Sequence, residues 1–286
     1  MNEVVDTWAI EAGVGVGAIC ARAGMSRQNY YKARRFRQRQ QVDEDLVIEL
    51  VKQERRLQPR LGARKLLFLL QSVLDEARVS IGRDRFFGLL ARHDLLVARK
   101  TSWPKTTNSR HSLPVFLNLI KELKLTGPNQ AWASDVTYIR TEEGFVFASL
   151  ITDMYSRKVV GFHVGDTLES IGCQLALKAA LAELPVDSFP VHHSDRGCQY
   201  CCHEYVNLLR SRGLSISMTQ QAHCYENALA ERLNGILKQE YEMDRTFQTK
   251  AQAFGALAEA VVLYNTRRPH LSLNYQTPEQ AHRRVA

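Results

Sequence analysis

Three acidic residues stand where a folded chain can bring their side chains together. Asp135 lies in the run "AWASDVTYIR", and Asp195 directly follows "FPVHHS"; both runs have the composition of β-strands. Glu231 lies in "YENALAERLNGILKQEY", which has helical periodicity, and 35 residues separate it from Asp195. Because strand ends build the sites of α/β sheets, these carboxylates are candidates for one catalytic group.

Three carboxylates from separate elements repel one another unless a cation lies among them. Oxygen ligands suit Mg²⁺ or Mn²⁺. A pair of such ions about 3.5–4 Å apart assists in-line phosphoryl displacement at both the attacking and the leaving oxygen. Taken singly, each acid has a structural explanation: a strand-edge residue for Asp135, a turn former for Asp195 and a helix surface residue for Glu231. The combination favours a catalytic site that binds two metal ions.

The helix predicted over 226–242 places Asn227, Asn234 and Lys238 on the same face as Glu231. The opposite face is apolar and expected to be buried: Leu229, Leu233, Ile236 and Leu237. A lysine two turns beyond a metal-binding glutamate is placed to contact a nucleic-acid phosphate. We therefore predict that Asn227, Asn234 and Lys238 contact nucleic acid. The alternative is that Lys238 pairs with an acid at the surface.

Other acidic residues compete for the same roles. Asp153, directly before "MYSRK", is typical of a residue that caps a hairpin turn. Glu226 opens the predicted helix, where an acid favours the helix dipole, and Glu240 lies at the far end of that helix. These positions favour structural roles for all three.

The cysteines beside Asp195 raise the alternative of a zinc site. Cys198, Cys201, Cys202 and His203 could form the first half of such a site, because Cys198 and Cys201 have the common C-x₂-C spacing. The second half would be the adjacent pair His223 and Cys224, whose side chains diverge on an extended chain. We expect these cysteines to pack as small apolar residues instead.

The front of the chain combines helical periodicity with positive charge. The net charge is +8, and the basic excess lies within residues 1–111. Residues 14–36 predict two helices joined by a turn at Gly24, with Ser26 capping the second, which is the helix-turn-helix pattern. More helices are predicted over 43–57, 62–73 and 82–93.

The second helix of the helix-turn-helix pattern lies within residues 22–39, which carry basic residues and no acid. Such a run of positive charge suits a phosphate backbone. A solvated helix surface is the alternative explanation. The residues predicted to contact DNA are Arg27, Gln28, Asn29, Arg34 and Arg35.

From residue 131 the pattern changes to that of strands. Three runs rich in β-branched and aromatic residues predict an antiparallel meander over 131–140, 145–153 and 158–164. Helices and further strands then alternate: 169–183 (helix), 189–194 (strand), 203–212 (helix), 214–218 (strand), 226–242 and 248–265 (helices). This order predicts an α/β architecture, a mixed sheet flanked by helices, preceded by a small all-α region.

The predicted organisation has four parts. They are a helical DNA-binding region (1–100), a linker (101–128), the catalytic core (129–267) and a C-terminal tail (268–286). The 286 residues are 45% hydrophobic and contain no apolar run near the length of a membrane span. Together with an N-terminal segment too acidic for a secretory signal, this predicts a soluble, cytoplasmic protein. The six irregularly spaced cysteines predict reduced thiols.

Four stretches together resemble one protein family: "WASDVTYI", "HHSDRGCQY", "YENALAERLNGILKQE" and "YNTRRPHLSLNYQTPEQA". They are similar to the integrase-core transposases of bacterial insertion sequences, specifically the second-reading-frame product of the IS3-type group. The resemblance extends over residues 20–285 by pattern. The front of the chain is similar to the helix-turn-helix segment that precedes the core in that family.

The resemblance implies a ribonuclease H-like core with a DD(35)E triad of Asp135, Asp195 and Glu231, binding two Mg²⁺ or Mn²⁺ ions. It implies strand cleavage at element ends and strand transfer, which is DNA integration. Double-stranded DNA, at element ends and target, is the implied partner, with homo-oligomers on DNA and fusion to an upstream-frame product. The implied location is the bacterial cytoplasm, at the nucleoid when DNA is bound.

Two other functions stay open at this point. One is a DNA-binding regulator whose integrase-like core is catalytically silent, and the other is a ribonuclease H-type nuclease without end recognition. The intact triad favours the transposase over the regulator, and the basic helical front favours it over the simple nuclease.

Overall fold

The computed structural model describes residues 15–98, 113–220 and 228–283. The chain divides into two compact units. The helical unit comprises residues up to 53 and residues 70–94, and the sheet unit comprises residues 54–69 and the chain from 95 onward. Residues 54–69 thus group with the sheet unit, although they lie in the predicted front region. None of the helices in the described ranges is both long and apolar enough to cross a membrane.

The helical unit begins with helix α1 (Val16–Arg22) and helix α2 (Arg27–Leu57). Gly24 joins them with a φ of +63°, a conformation that glycine adopts without strain. The Ser26 hydroxyl accepts a hydrogen bond from the Asn29 amide at 3.2 Å and caps α2. The helix, turn and cap that the sequence predicts are all present.

Helix α2 is longer than predicted. The sequence separates a helix ending at 36 from another over 43–57, and this prediction is wrong, because one helix of 31 residues spans both. The intervening residues 37–42, "RQRQQV", contain no glycine or proline and are mostly strong helix formers, so nothing interrupts the helix.

Helices α3 (Ala63–Glu76) and α4 (Arg83–Arg92) follow. Within the helical unit, Glu44 of α2 pairs with Arg85 at 3.1 Å and Arg92 at 2.9 Å of α4. The buried apolar side chains of this unit include members from α2, α3 and α4: Val47, Ile48, Val51, Leu70, Leu74, Phe86, Leu89 and Leu90.

The sheet unit contains five strands in the order β3-β2-β1-β4-β5. The first three pair antiparallel, whereas β1 with β4 and β4 with β5 pair parallel. This mixed arrangement is the strand order of ribonuclease H-like folds, so the predicted fold class is confirmed. The strands are β1 (Ala131–Thr141), β2 (Gly144–Asp153), β3 (Val159–Gly165), β4 (Val191–Ser194) and β5 (Ile216–Met218).

Helices cover both faces of this sheet. They are α5 (Ser170–Glu183), α6 (Cys198–Cys201), α7 (His203–Ser211), α8 (Ala228–Glu240), α9 (Lys250–Thr266) and α10 (Pro278–Arg283). One core joins the sheet to α8 and α9, and the other joins it to α5, α6 and α7. Gly161 of β3 permits the closest approach, since a Cβ there would lie 2.4 Å from the Ala176 carbonyl oxygen of α5.

The predicted tail over 268–286 contains regular structure. A 3₁₀ turn (Leu271–Leu273) precedes α10. Lys158 pairs with Glu279 of α10 at 2.9 Å, and Arg268 is almost fully buried. This segment is therefore an integral part of the sheet unit.

Candidate active site

Asp135 and Asp195 occupy equivalent places on two adjacent strands. In the parallel pairing of β1 with β4, Ala133 lies opposite His193. Asp135 lies two residues after Ala133, and Asp195 lies two residues after His193. Because adjacent strands are about 4.8 Å apart, this register brings the two carboxylates to the same point of the sheet.

The Asp135 carboxylate is held by two hydrogen bonds. Its Oδ1 accepts from the Val136 amide at 2.9 Å, and its Oδ2 accepts from Asn234 Nδ2 at 2.7 Å. The pKa of the Asp135 carboxyl is raised to about 7. Burial is the largest cause, the charge of Asp195 contributes next, and the charge of Glu231 contributes less. Asp135 therefore lies in a site where negative charge has accumulated.

Asp195 follows the last residue of β4, where the chain turns toward α6. Its Oδ1 accepts a hydrogen bond from the Gly197 amide at 2.9 Å. A Cβ at residue 197 would lie 3.0 Å from that same oxygen. Glycine at this position lets the backbone approach the carboxylate closely and orient it.

Glu231 lies in the first turn of α8, and its side chain is exposed. Its charge acts on Asp135 and raises the pKa of that carboxyl. Within the ranges that the structure describes, no three Asp, Glu, His or Cys side chains come close enough to form a metal-binding group. The donor set of Asp135, Asp195 and Glu231 is nevertheless all oxygen, which suits a hard divalent cation. The repulsion among these carboxylates is what such a cation relieves.

Two predicted nucleic-acid contacts lie on the same face of α8 as Glu231. The helix runs unbroken through Gly235. Asn234 donates to Asp135, while Lys238 Nζ lies 4.4 Å from the ring centroid of Tyr138. Burial lowers the pKa of the Lys238 ammonium, although the charge of Asp135 opposes that shift. Nucleic-acid contact stays a prediction for both.

Asn227, the third predicted contact on this helix, lies outside the described residues, as does Glu226. The hydrogen bond from Asn234 to Asp135 was missed by sequence reasoning. Its only signal is the spacing of three residues from Glu231, which places Asn234 one turn further along the same helix face.

Asp153 and Glu240 have structural partners. Asp153 is fully buried and accepts from the Asn129 amide, the Ser156 amide and the Ser156 hydroxyl, each at 2.7 Å. Glu240 pairs with Lys65 and Arg268. The turn-capping role predicted for Asp153 is present.

A buried hydrogen-bonded group that the sequence did not suggest adjoins the two aspartates. His192 Nε2 lies 2.7 Å from the Ser134 hydroxyl and 2.8 Å from the Tyr205 hydroxyl. Burial lowers the pKa of His192 to about 3, so the ring is neutral, and its tautomer decides whether Nε2 donates to or accepts from these hydroxyls. Ser134 precedes Asp135, so these bonds help to fix β1 against β4.

Of the cysteines near Asp195, Cys201 packs as a small apolar residue as predicted, whereas Cys198 does not. Cys201 is buried, and its Sγ lies 3.8 Å from the sulfur of Met218, while Cys198 is exposed. His223 and Cys224, the other half of the zinc alternative, lie outside the described residues.

The predicted DNA-contact residues of the helical unit lie at the front of α2 and are exposed: Arg27, Gln28, Asn29, Arg34 and Arg35. Arg27 and Arg34 are seven residues apart, as are Gln28 and Arg35. Two helical turns separate the members of each pair, which therefore share a face.

The amino-acid sequence is similar to an integrase core domain and to proteins of bacterial insertion elements. Two integrase core domain models match residues 126–224 and 212–278. The "Insertion element IS600 uncharacterized 31 kDa protein" of Shigella sonnei is 33% identical over 264 residues, covering 91% of this chain and 96% of that protein. The transposase for insertion sequence element IS629 of Shigella sonnei is 29% identical over 276 residues, covering 93% and 91% of the two chains.

Other similarities cover a smaller part of this chain. Transposase InsF for insertion sequence IS3A of Escherichia coli (strain K12) is 34% identical over 153 residues, 53% of each chain. Among solved structures, the HTLV-2 integrase catalytic core domain in complex with magnesium is 20% identical, with a TM-score of 0.44, covering 56% of this chain and 99% of that one. From the integrase core models and the near full-length relatives, this chain belongs to the transposases of IS3-type insertion sequences that contain an integrase core domain.

Proposed function

We propose that this protein cleaves DNA strands at the ends of an insertion sequence and transfers them into a target, with Asp135, Asp195 and Glu231 as its catalytic residues. The observation that carries the proposal is the register of β1 with β4, which puts Asp135 beside Asp195. The charge of Glu231 acts on the same site. Family membership makes strand transfer the reaction to test.

The proposed reaction consists of two displacements at phosphorus. In cleavage, a water oxygen attacks a phosphodiester at the element end, the bond from phosphorus to the 3′ oxygen breaks, and a free 3′-OH results. In joining, that 3′ oxygen attacks a target phosphodiester, loses its proton, and displaces a target 3′ oxygen, which gains one. Each joining step exchanges one phosphodiester for another, so no nucleotide cofactor is consumed.

Two Mg²⁺ or Mn²⁺ ions fit this donor set. Bound there, they would stabilise negative charge on the attacking and leaving oxygens. The residues expected to hold them are Asp135, Asp195 and Glu231. Asn234 keeps Oδ2 of Asp135 in place through its hydrogen bond of 2.7 Å, and the Gly197 amide orients Oδ1 of Asp195.

The proposed partner is double-stranded DNA. Lys238, with Asn227 and Asn234, would contact the processed end, because Lys238 adds positive charge to the helix face that carries Glu231. The exposed basic front of α2 would bind duplex DNA through its phosphates. Homo-oligomers on DNA, fusion with an upstream-frame product and a bacterial cytoplasmic location complete the proposal.

The test uses duplex oligonucleotides that carry the element ends, with Mg²⁺ or Mn²⁺ present. The wild-type protein is expected to cleave them and to join a pre-cleaved 3′-OH end. Asp195→Asn is expected to do neither while it binds the duplex as the wild type does, because an amide is a poor ligand for a divalent cation. Asp187→Asn, an exposed acid eight residues away, is the matched control and should retain both reactions.

Two results would contradict the proposal. If Asp195→Asn joins pre-cleaved ends at the wild-type rate, Asp195 is not catalytic. If the wild-type protein binds the ends but neither cleaves nor joins in either metal, the function is that of a DNA-binding regulator with a silent core.

A further inference from the structure

Helix α8 ends in an acidic residue, which by itself is unfavourable there. The C-terminal end of a helix carries partial negative charge, so a glutamate at this end is repelled. Glu240 is offset by two cations. Arg268 donates through Nε and Nη2 to the two carboxylate oxygens, both at 2.8 Å, and Lys65 Nζ lies 2.9 Å from Oε1 and 3.2 Å from Oε2.

This ion cluster is largely removed from water. Arg268 is 2% exposed. Burial lowers the pKa of Lys65 to about 8, with Glu240 acting in the opposite direction. Burial also opposes ionisation of Glu240, yet its bonds to Arg268 and Lys65 outweigh that effect and lower the pKa of the carboxyl. Loss of Glu240 would therefore leave two cations unpaired in a site with little water, which is a strongly unfavourable state.

Further contacts bring residues 54–65 and 267–268 to the same end of α8. The Arg60 amide donates to the Glu240 carbonyl at 3.0 Å and so satisfies a carbonyl that a helix end leaves open. The Tyr241 hydroxyl donates to Gln58 Oε1 at 3.1 Å. Arg267 forms two hydrogen bonds to Glu54, at 2.8 and 2.6 Å.

Nearer Glu231, α8 is held by the hydrogen bond of 2.7 Å from Asn234 to Asp135 and by apolar packing. Glu231 is exposed, and the apolar face of the helix contributes Leu233, Ile236 and Leu237 to the core. Apolar burial is non-directional, so it fixes which face packs inward more firmly than it fixes the exact rotation and axial position. The bidentate bonds of Arg268 to Glu240 are directional and supply that constraint.

We propose that Lys65, Glu240 and Arg268 form an anchor that sets the rotation and axial position of α8, and thereby directs Glu231 toward Asp135 and Asp195. The anchor lies nine residues from Glu231, about 13 Å along the helix. These are positioning residues, because they act on the site only through the helix. The consequence for metal binding rests on the proposed function, whereas the effect on the helix does not.

The first test is hydrogen exchange of the full-length protein, followed on peptides covering residues 228–239. Glu240→Gln is expected to speed exchange of α8 by about tenfold or more, because the helix opens locally more often. The matched control is Glu279→Gln, which breaks an ion pair of similar exposure: 16% and 20% for Lys158 and Glu279, against 12% and 16% for Lys65 and Glu240. The control should leave exchange of α8 unchanged.

The second test is Mn²⁺ affinity, measured from the free-ion signal in electron paramagnetic resonance. Glu240→Gln is expected to weaken Mn²⁺ binding by about tenfold, the lower range for loss of a group that orients a metal ligand. Glu279→Gln should bind Mn²⁺ as the wild type does. Asp195→Asn, which lacks a proposed metal ligand, gives the free-Mn²⁺ signal expected without binding at this site. Arg268→Lys keeps the charge but loses the bidentate geometry, so an intermediate loss is expected, and this variant serves if Glu240→Gln fails to fold.

The outcomes separate the two proposals. If the wild type binds no more Mn²⁺ than Asp195→Asn does, the metal assignment fails, and exchange of α8 still decides the anchor. Unchanged exchange of α8 in Glu240→Gln and Arg268→Lys overturns the anchor whatever the metal does. Faster exchange with undiminished Mn²⁺ affinity overturns the positioning of Glu231.

Discussion

The two units of this protein use charge in different ways. In the helical unit, Arg34 and Arg35 lie exposed along one helix. In the sheet unit, Asp135 is held by two hydrogen bonds and Arg268 is almost fully buried against Glu240. Exposed charges are screened by salt and act additively, whereas buried charges act through fixed geometry. Single substitutions should therefore have small, salt-dependent effects in the first unit and large, specific effects in the second.

The largest effect is expected from Asp135→Asn. It should reduce strand cleavage and joining by about 10³-fold or more, because catalytic residues that act as a group lose most activity together. Its thermal stability should rise slightly, since one of several repelling carboxylates is gone. End cleavage, end joining and thermal unfolding, measured on the same preparation, test this contrast.

Asp153→Asn is the paired variant, because Asp153 is also a buried aspartate of the sheet unit. It should lose about 2 kcal/mol of unfolding free energy, since it weakens hydrogen bonds to a charged acceptor. At a temperature where it is folded, its joining rate should stay near that of the wild type. Equal losses of activity in Asp135→Asn and Asp153→Asn would remove the distinction between catalytic and structural aspartates.

An intermediate effect is expected at Lys238. Lys238→Glu and Lys238→Ala should weaken capture of element ends and reduce joining by about tenfold, the loss of one charge-assisted phosphate contact. Thermal stability should change little in Lys238→Ala and fall slightly in Lys238→Glu, because the added carboxylate lies near Asp135. Lys178→Glu, an exposed lysine on α5, makes the same change of net charge and is the control. Unchanged end binding and joining in both Lys238 variants, at matched salt, would remove Lys238 from the site.

A smaller effect is expected in the helical unit. Arg34→Ala combined with Arg35→Ala should weaken binding to any duplex and reduce the slope of log Kobs against log salt by about two, one for each lost phosphate contact. The exposed lysine variant Lys178→Ala should leave the slope unchanged. A slope equal to that of the wild type would show that the front of α2 does not contact phosphates.

The last effect concerns acid stability and depends on pH. Burial lowers the pKa of His270 to about 2, with the charge of Arg268 acting in the same direction. The ordinary pKa of histidine is about 6.5. Below that pH, His270 binds a proton in the unfolded chain but stays neutral in the folded protein. The contribution is thus fully present above pH 6.5 and declines as the pH falls.

His270→Phe keeps an aromatic ring beside Tyr264 and removes this proton uptake. Between pH 6 and 4, the unfolding free energy of the variant should fall less steeply than that of the wild type. The two slopes should differ by about 1.4 kcal/mol per pH unit. Denaturant unfolding at several pH values measures both slopes. Parallel slopes would show that His270 becomes protonated in the folded protein.

The sequence predicted those parts of the site that depend on local patterns. Asp135 and Asp195 could be placed because each lies in or directly after a short run of strand-forming residues, and strand ends converge in α/β sheets. The helix face of Glu231, Asn234 and Lys238 followed from helical periodicity alone. The continuous α2 was missed although residues 37–42 contain no residue that breaks a helix.

The anchor and the buried His192 group could not be predicted in the same way. Lys65 and Glu240 are 175 residues apart, and Ser134 and His192 are 58 apart. Neither pair has a local pattern, because only the sheet and its crossovers bring these residues together. Within "YNTRRPH", the sequence does not show that Arg268 is buried while the adjacent Arg267 is largely exposed.

The span between Glu54 and Arg267, 213 residues, also sets an order of events during synthesis. At ribosomal rates of 5–20 residues per second, Glu54 emerges roughly 10–40 s before its partner. The residues of the helical unit are all synthesised long before that time, whereas α8 can gain its contacts to Arg268 only after residue 268 has been made. The helical unit can therefore order in a nascent chain before the C-terminal end of α8 gains its ion pairs.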